Sequence, residues 1–425
     1  MHRQNWRMYC GFLLAAECLA QSAAPPRAIT WREAQDRFRA NNPSLLAGQV
    51  AVEEARADEI TAYLRPNPDF TLLTDGTQIA PSQGVWRPFA GTMFSTNLSY
   101  LHEREHKREL RLTSAQKATT VAMSAQTDLE RNLIFNLRDA FVRVLLAKAV
   151  VGVAKENLDY YDKALSIQRD RYGAGAIAHV DLQRLELQRV QFVSDFATAQ
   201  VNLRTAKIDL QALLRDRTPV EQFDLAEKLD YSESTVTLDG LRSEALHNRP
   251  DLKEAEQTLE KAKTDHQLAI ANGSTDPTFS AWWTHNGSFN NPDAYNTLGA
   301  SIGIPLRIFD RNQGEKLHTQ LDIGRSERLR DAAEISALHD VDSAYATLRN
   351  TLELLQPYRS QYLPEAEAVR ATISFSYEHG AASLLDFLDA QKEYRGTQLS
   401  YLNLVGAYLS AANQVNFAVG QEVIH

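Results

Sequence analysis

Apolar residues recur at helical spacing over most of the chain. Leu129, Leu133, Leu137, Phe141 and Val144 are separated by four, four, four and three positions, while Arg131, Arg138 and Arg143 fall on other faces. That spacing predicts an amphipathic helix sustained over many turns. No proline occurs between Pro88 and Pro219, and from Leu101 to Asp216 glycine occurs only at positions 152, 173 and 175. A helix from His102 to Tyr172 would reach on the order of 100 Å at ~1.5 Å per residue, deeper than any globular core. Gly173 and Gly175 supply positions for positive φ and predict a sharp reversal. Leu203, Ala206, Leu210 and Leu213 then carry the pattern back. A second such region runs from Phe309 to Val419, where Pro357 and Pro364 predict a kink or an interruption.

Elsewhere the period changes to two. Leu298, Ala300, Ile302, Ile304 and Leu306 alternate with Thr297, Gly299, Ser301, Gly303 and Pro305; Phe94, Leu98 and Tyr100 alternate with Met93, Ser95, Asn97 and Ser99. With segments 68–75 and 278–285, that makes four candidate strands, each long enough to cross a bilayer when tilted. Trp86, Phe89, Phe289 and Tyr295 in the intervening loops are candidate interface aromatics. Four strands cannot close a barrel, and open edges are not tolerated in lipid, so a spanning structure demands an oligomer that pools strands.

The pattern occurs twice. Asn41-Asn42-Pro43-Ser44-Leu45 is matched by Asn248-Arg249-Pro250-Asp251-Leu252. Each copy continues through an Ala/Glu-rich stretch (50–62 and 253–271) into a β-like segment opened by Pro68 or Pro277. A long helical region follows in each. Tyr172 and Gly175 precede Asp181, as Tyr377 and Gly380 precede Asp386, with an offset of a little over 200 residues throughout. Four landmarks in one order predict a tandem duplication: a first repeat over 21–220, a connector over 221–237 and a second repeat over 238–425.

The 425 residues are 44% hydrophobic and 23% charged, and no apolar run of ~18 residues exists to make a spanning helix. A net charge of −9 argues against a nucleic-acid partner. His2, Arg3 and Arg7, the apolar stretch 8–16, and Cys18-Leu19-Ala20 predict a secretory signal over 1–20. Both cysteines lie within it, so the mature chain would lack disulfides, thiolate metal sites and Cys nucleophiles.

Taken together, these segments resemble the TolC-type outer-membrane efflux protein family, from Ile29 to Gln421. The resemblance rests on the duplicated Asn-Pro-x-Leu and Arg-Pro-Asp-Leu segments, the Tyr-x-x-Gly-x-x-x-x-x-Asp hairpins, the run Ile304-Pro305-Leu306-Arg307, and Leu385-Asp386-Phe387-Leu388-Asp389. Segment 309–315 resembles the cobalt–zinc–cadmium branch. The resemblance implies a mainly α fold with a small membrane β-barrel. In it, a homotrimer pools four strands per protomer into a twelve-stranded barrel, continued by a periplasmic tunnel of helical hairpins. It implies a passive exit duct in the bacterial outer membrane, in contact with its lipid. The duct would dock to a periplasmic adaptor and an inner-membrane pump of the resistance–nodulation–division or a similar type, without a cofactor. Gly175 and Gly380 would sit at hairpin tips that meet the adaptor. Asp386 and Asp389 would form carboxylate rings at the tunnel's narrow end, their pKa raised by mutual repulsion, with Asp181 at the equivalent position of the first repeat. Ala382 stands where some relatives carry an arginine that locks the closed tip.

One competing signal points to an enzyme. His102-Glu103-Arg104-Glu105-His106 satisfies H-E-x-x-H, which on a helix sets two zinc-binding imidazoles on one face with a glutamate as base. The alternative function is therefore a periplasmic zinc metallopeptidase. Against it, the following Lys107-Arg108-Glu109 is charged, adjacent cations oppose Zn²⁺, no third ligand follows, and a peptidase has no reason to duplicate units lacking the motif.

Overall fold

The expected long helix is present and starts five residues late. The computed structural model describes residues 27–233, 235–287 and 295–424; the expected signal segment and Phe289 lie outside them. In chain order the elements are β1 (Arg27–Ile29), α1 (Trp31–Asn41), α2 (Pro43–Tyr63), β2 (Asp69–Asp75), β3 (Met93–Leu101), α3 (Lys107–Gly173) and α4 (His179–Leu214). A short turn of 3₁₀ helix (Val220–Gln222) leads into β4 (Phe223–Leu225). The second half holds α5 (Leu238–Asn248), α6 (Pro250–Asn272), β5 (Thr278–Asn286), β6 (Asn296–Gly303), α7 (Gln313–Pro357), α8 (Leu363–Glu378) and α9 (Leu384–Val419). The order helix, helix, strand, strand, long helical hairpin thus occurs twice.

The prolines act as their chemistry requires. Pro357 closes α7, a π-helical stretch covers Tyr358–Tyr362, and Pro364 takes an early position of α8 just beyond it, so the regular α-helical ladder is interrupted between the two prolines. Pro305 has no N–H to give a ladder, and β6 ends at Gly303 rather than Leu306. The expected start of α3 at His102 fails because Glu105 and His106 adopt positive φ, 56° and 54°, and turn the chain into the helix axis.

Leu137, Phe141 and Val144 are buried with Leu210, Phe38 and Phe223, and Leu129 and Leu133 pack at the margin of that cluster. The small parallel pair β1–β4, Ile29 opposite Leu225, seals it. Its three-residue strands left no periodicity to read in the sequence. Along the 67 residues of α3 the partners change. Thr119 bonds Glu59 of α2, the Phe135 carbonyl accepts from Asn413 of α9, and Asp162 meets Arg189 of α4. The buried stripe therefore rotates with each new neighbour instead of keeping one face.

β2, β3, β5 and β6 form one antiparallel sheet in that order. Phe70, Leu98, Ala281 and Ala300 stand opposite one another across it, as do Leu72, Thr96, Trp283 and Leu298. Directly opposed residues share a face, so one face is apolar and exposed, with Phe70 at 69% and Leu298 at 84%. The other carries Asp69, Ser99, Ser280 and Ser301, then Thr71, Asn97, Trp282 and Gly299. Any side chain on Gly299 would collide with the Trp282 ring, so glycine is required there.

Candidate functional site

The two hairpin turns that hold most of the candidate residues have the same backbone geometry. Gly175 has φ +72° and Gly380 φ +78°. In the first, Gly175 N–H donates to the Tyr172 carbonyl at 2.9 Å and Ala176 N–H to that of Arg171 at 2.8 Å; in the second, Gly380 N–H reaches Tyr377 at 3.1 Å and Ala381 N–H reaches Ser376 at 2.8 Å. Each turn satisfies the carbonyls left over at a helix end, and a left-handed residue is needed to do it. Nothing lies within 4 Å of a Cβ placed on either glycine, so backbone conformation alone selects them.

The turns lie together at one end of the helices. Tyr377 stacks on Phe387 at 5.0 Å and Tyr161 on Phe192 at 4.5 Å, within a buried cluster that also takes Leu165, Leu182 and Leu185. Arg171 donates to the Tyr377 carbonyl at 3.3 Å, joining the two tips directly. Higher up, Arg395 meets Asp195 at 2.7 Å. Arg370, nearly buried, lies between the rings of Tyr160 (4.5 Å) and Tyr394 (3.7 Å). The contacts that cross between repeats, Arg171 with Tyr377, Asp195 with Arg395 and Tyr160 with Arg370, join residues about 200 positions apart and left no local signal.

Asp386 and Asp389 are exposed on the first turns of α9. Asp386 is also a capping residue: its carboxylate accepts the Ser383 hydroxyl at 2.7 Å and the Ser383 N–H at 2.9 Å, and the Ser383 hydroxyl accepts the Asp386 N–H at 3.2 Å. This reciprocal pair is a capping box. Ser383 donating to the ionised carboxylate lowers the Asp386 pKa. Within one chain, then, the contacts act against the rise expected from a ring of three copies. Asp181, equivalent in position, begins a helix without a side-chain cap, since Ala178 stands where Ser383 stands in the other repeat. It is half-buried, and no ion pair reaches it among the described residues. Burial, then the Asp181 charge, raises the Tyr377 hydroxyl pKa.

The H-E-x-x-H residues are not on a helix. They form the link between β3 and α3, with His102 edge-on to Phe279 at 6.4 Å and Glu103 held by the Arg111 guanidinium, one bond measuring 2.9 Å. The imidazoles have no common helical face and the glutamate is already spent on an ion pair. No group of three His, Asp or Glu able to hold a metal occurs among the described residues.

The Arg-Pro-Asp-Leu segment hides a polar network. Arg249, 4% exposed, donates to Asp340 at 2.8 Å, to both oxygens of Asp251 at 2.6 and 3.0 Å, and to the Ala418 carbonyl at 3.3 Å. In the first repeat Asn42 instead caps α2 by accepting the Ser44 and Leu45 N–H groups at 2.9 and 3.1 Å. The landmark used to detect the duplication thus does two different jobs.

Known proteins carry the same arrangement. The chain is 24% identical to the cobalt-zinc-cadmium resistance protein CzcC of Cupriavidus metallidurans, over 94% of this chain and 92% of that one. It is 25% identical to the cation efflux system protein CusC of Escherichia coli, over 88% and 82%. A crystal structure of CusC superposes with a TM-score of 0.75 at 19% identity, covering 93% of each chain, and the Campylobacter jejuni CmeC outer membrane channel with 0.74 at 14% identity, covering 93% and 87%. CusC is a cation efflux system protein and CmeC an outer membrane channel, which removes the peptidase alternative. The model of the outer membrane efflux protein family matches residues 35–214 and 241–421, most of the chain's length in two successive segments, and the chain belongs to that family.

Proposed function

We propose that this outer-membrane efflux channel is the exit duct of a tripartite system. Three copies pool their strands into a twelve-stranded barrel, and the paired hairpins of each copy continue it as a tunnel across the periplasm. The mature chain consists of repeats over 21–220 and 238–425 joined by the connector 221–237, after removal of 1–20. A periplasmic adaptor engages the tips at Gly175 and Gly380, and an inner-membrane pump of the resistance–nodulation–division or a similar type supplies energy and selects the cargo. Asp386 and Asp389, with Asp181, line the periplasmic aperture.

The observation that carries this reading is the four-stranded sheet. Its apolar face is exposed, its opposite face is polar, and its edges β2 and β6 have no partner strand among the described residues. Apolar-out, polar-in alternation is what a water-filled barrel in lipid requires. Edges left open in hydrocarbon cost several kcal/mol per unsatisfied group, so neighbours must close them.

Native mass measurement of the protein in mild detergent is expected to give a trimer with no stable folded monomer. A monodisperse monomer would sink the reading. His102→Ala and His106→Ala are expected to leave export unchanged; zinc-dependent peptide cleavage abolished by either substitution would overturn the channel assignment.

A further inference from the structure

We propose that the link between β3 and α3 binds the phosphodiester headgroup of a phospholipid in the periplasm-facing leaflet of the outer membrane. The inference rests on the reading of the sheet as a membrane-spanning barrel. A cavity of about 310 Å³ opens here, lined by residues 102–109 with Arg65, Pro66 and Tyr100.

Its orientation follows from strand parity. Phe94, Leu98 and Tyr100 lie on the apolar face, and His102 continues the alternation with its ring against Phe279 of the same face. The cavity therefore opens towards lipid and not towards the lumen. Its depth follows from strand length. The nine residues of β3 cover about 30 Å at ~3.3 Å each, so a tilted strand leaves the hydrocarbon near Leu101 and the next residues emerge among headgroups. Exposed Tyr63 and Leu64 border this level in the first repeat, and Leu306 (79% exposed) and Phe309 (90%) follow the end of β6 in the second.

The side chains present spare cationic donors. Arg65 has no ion pair or hydrogen bond among the described residues. The Arg104 guanidinium meets only Glu105, at 3.8 Å with both half-exposed, a contact worth little, while its backbone N–H donates to Asp276 at 2.9 Å. Arg108 lies over the Tyr63 ring at 4.5 Å and gives one Nη to Glu109, while its buried Nε has no acceptor. Of the acids nearby, Glu103 is neutralised by Arg111. Guanidinium forks match the paired non-bridging oxygens of a phosphodiester. The cationic surround that opposes zinc at His102 and His106 favours such an anion.

The test is native mass spectrometry of the delipidated full-length protein in a glycoside detergent, titrated with phosphatidylglycerol, diacylglycerol or inorganic phosphate. Phosphatidylglycerol should be retained and diacylglycerol not, and millimolar inorganic phosphate should not displace the lipid. The double variant Arg65→Gln with Arg104→Gln should lose retention by about fivefold or more, as expected when charge-assisted bonds are removed, with its assembly unchanged. Should that variant not assemble, Arg65→Gln alone, at an exposed position, carries the test with a smaller loss. Undiminished retention in an intact assembly, or equal retention of diacylglycerol, overturns the site; displacement by inorganic phosphate reassigns it to a free anion and overturns the lipid. Absence of a trimer in the wild-type protein would instead count against the barrel.

Discussion

Replacing Arg249 with alanine is expected to destabilise the folded chain by about 2–3 kcal/mol, less than the ~3–5 kcal/mol of a fully buried pair, because it removes a buried guanidinium that pairs two half-buried carboxylates. The side chain fastens the α5–α6 turn to Asp340 on α7 and to the Ala418 carbonyl near the end of α9. A Cβ placed on Gly420, at φ +86°, would lie 3.2 Å from the Arg249 Cα, so the two backbones pass closely there and only glycine fits. Arg249→Lys should recover only part of the loss, since one ammonium cannot reach all the acceptors of a fork. The pH dependence separates this account from simple loss of packing. Burial would raise the Asp251 carboxyl, but the Arg249 bonds, then the charges of Arg249 and Arg131, outweigh it and the net pKa is lowered. A carboxyl lowered on folding stabilises above its ordinary range, and that contribution is lost as pH falls through the depressed value. In Arg249→Ala burial is opposed only by the Arg131 charge and the Leu252 N–H, so the deficit relative to wild type should shrink on acidification below the ordinary carboxylate range. Urea unfolding followed by far-UV circular dichroism at neutral and acidic pH measures both. Parallel pH profiles for the two proteins would show that the ion pairs contribute nothing specific.

What the sequence made legible follows from the range of the interactions. The long helices of the first repeat show because they lack proline and repeat Leu129, Leu133 and Leu137 on one side, which is local information. The strands show because their two faces meet lipid-like and polar surroundings, so Phe94, Leu98 and Tyr100 alternate cleanly. The hairpin turns show because only a left-handed residue closes them, and Gly175 and Gly380 stand there. The rest depends on distant partners. Arg370 between Tyr160 and Tyr394 joins α8 to α3 and α9, and nothing beside it in sequence marks it as buried. His102 and His106 matched a zinc spacing whose meaning requires a helix, and the positive φ of Glu105 and His106 removes that helix. Asp386 was legible as an acidic position at the tip. Its bond to Ser383 was equally readable as Ser-x-x-Asp at a helix start, and that second role changes how the residue must be tested.

The charge at the tip is expected to control cations. If Asp386 and Asp389 face the axis of a trimer, each level carries three carboxylates, and a multivalent cation bridging them relieves their repulsion and obstructs the pore. Asp386→Ala with Asp389→Ala should weaken trivalent-cation block of single-channel current by about tenfold or more, equivalent to ~1.4 kcal/mol, and lower cation selectivity in planar bilayers. Removing Asp386 also removes half of a capping box, a loss of ~1 kcal/mol that could loosen the first turn of α9. Ser383→Ala is the control, since it breaks the cap and leaves the charge in place. It should keep block and selectivity near wild type, and it should raise the Asp386 pKa by withdrawing the donor that lowers it. Gly175→Pro acts elsewhere: proline cannot adopt φ +72°, so the turn between α3 and α4 is distorted, and on the proposed docking mode adaptor binding is expected to fail while conductance of an assembled pore persists. The three variants divide charge, helix capping and tip geometry into separate readouts. Loss of block in Ser383→Ala equal to that in the double variant would mean that tip order governs the effect. Wild-type block in the double variant would mean that the carboxylates face away from the axis.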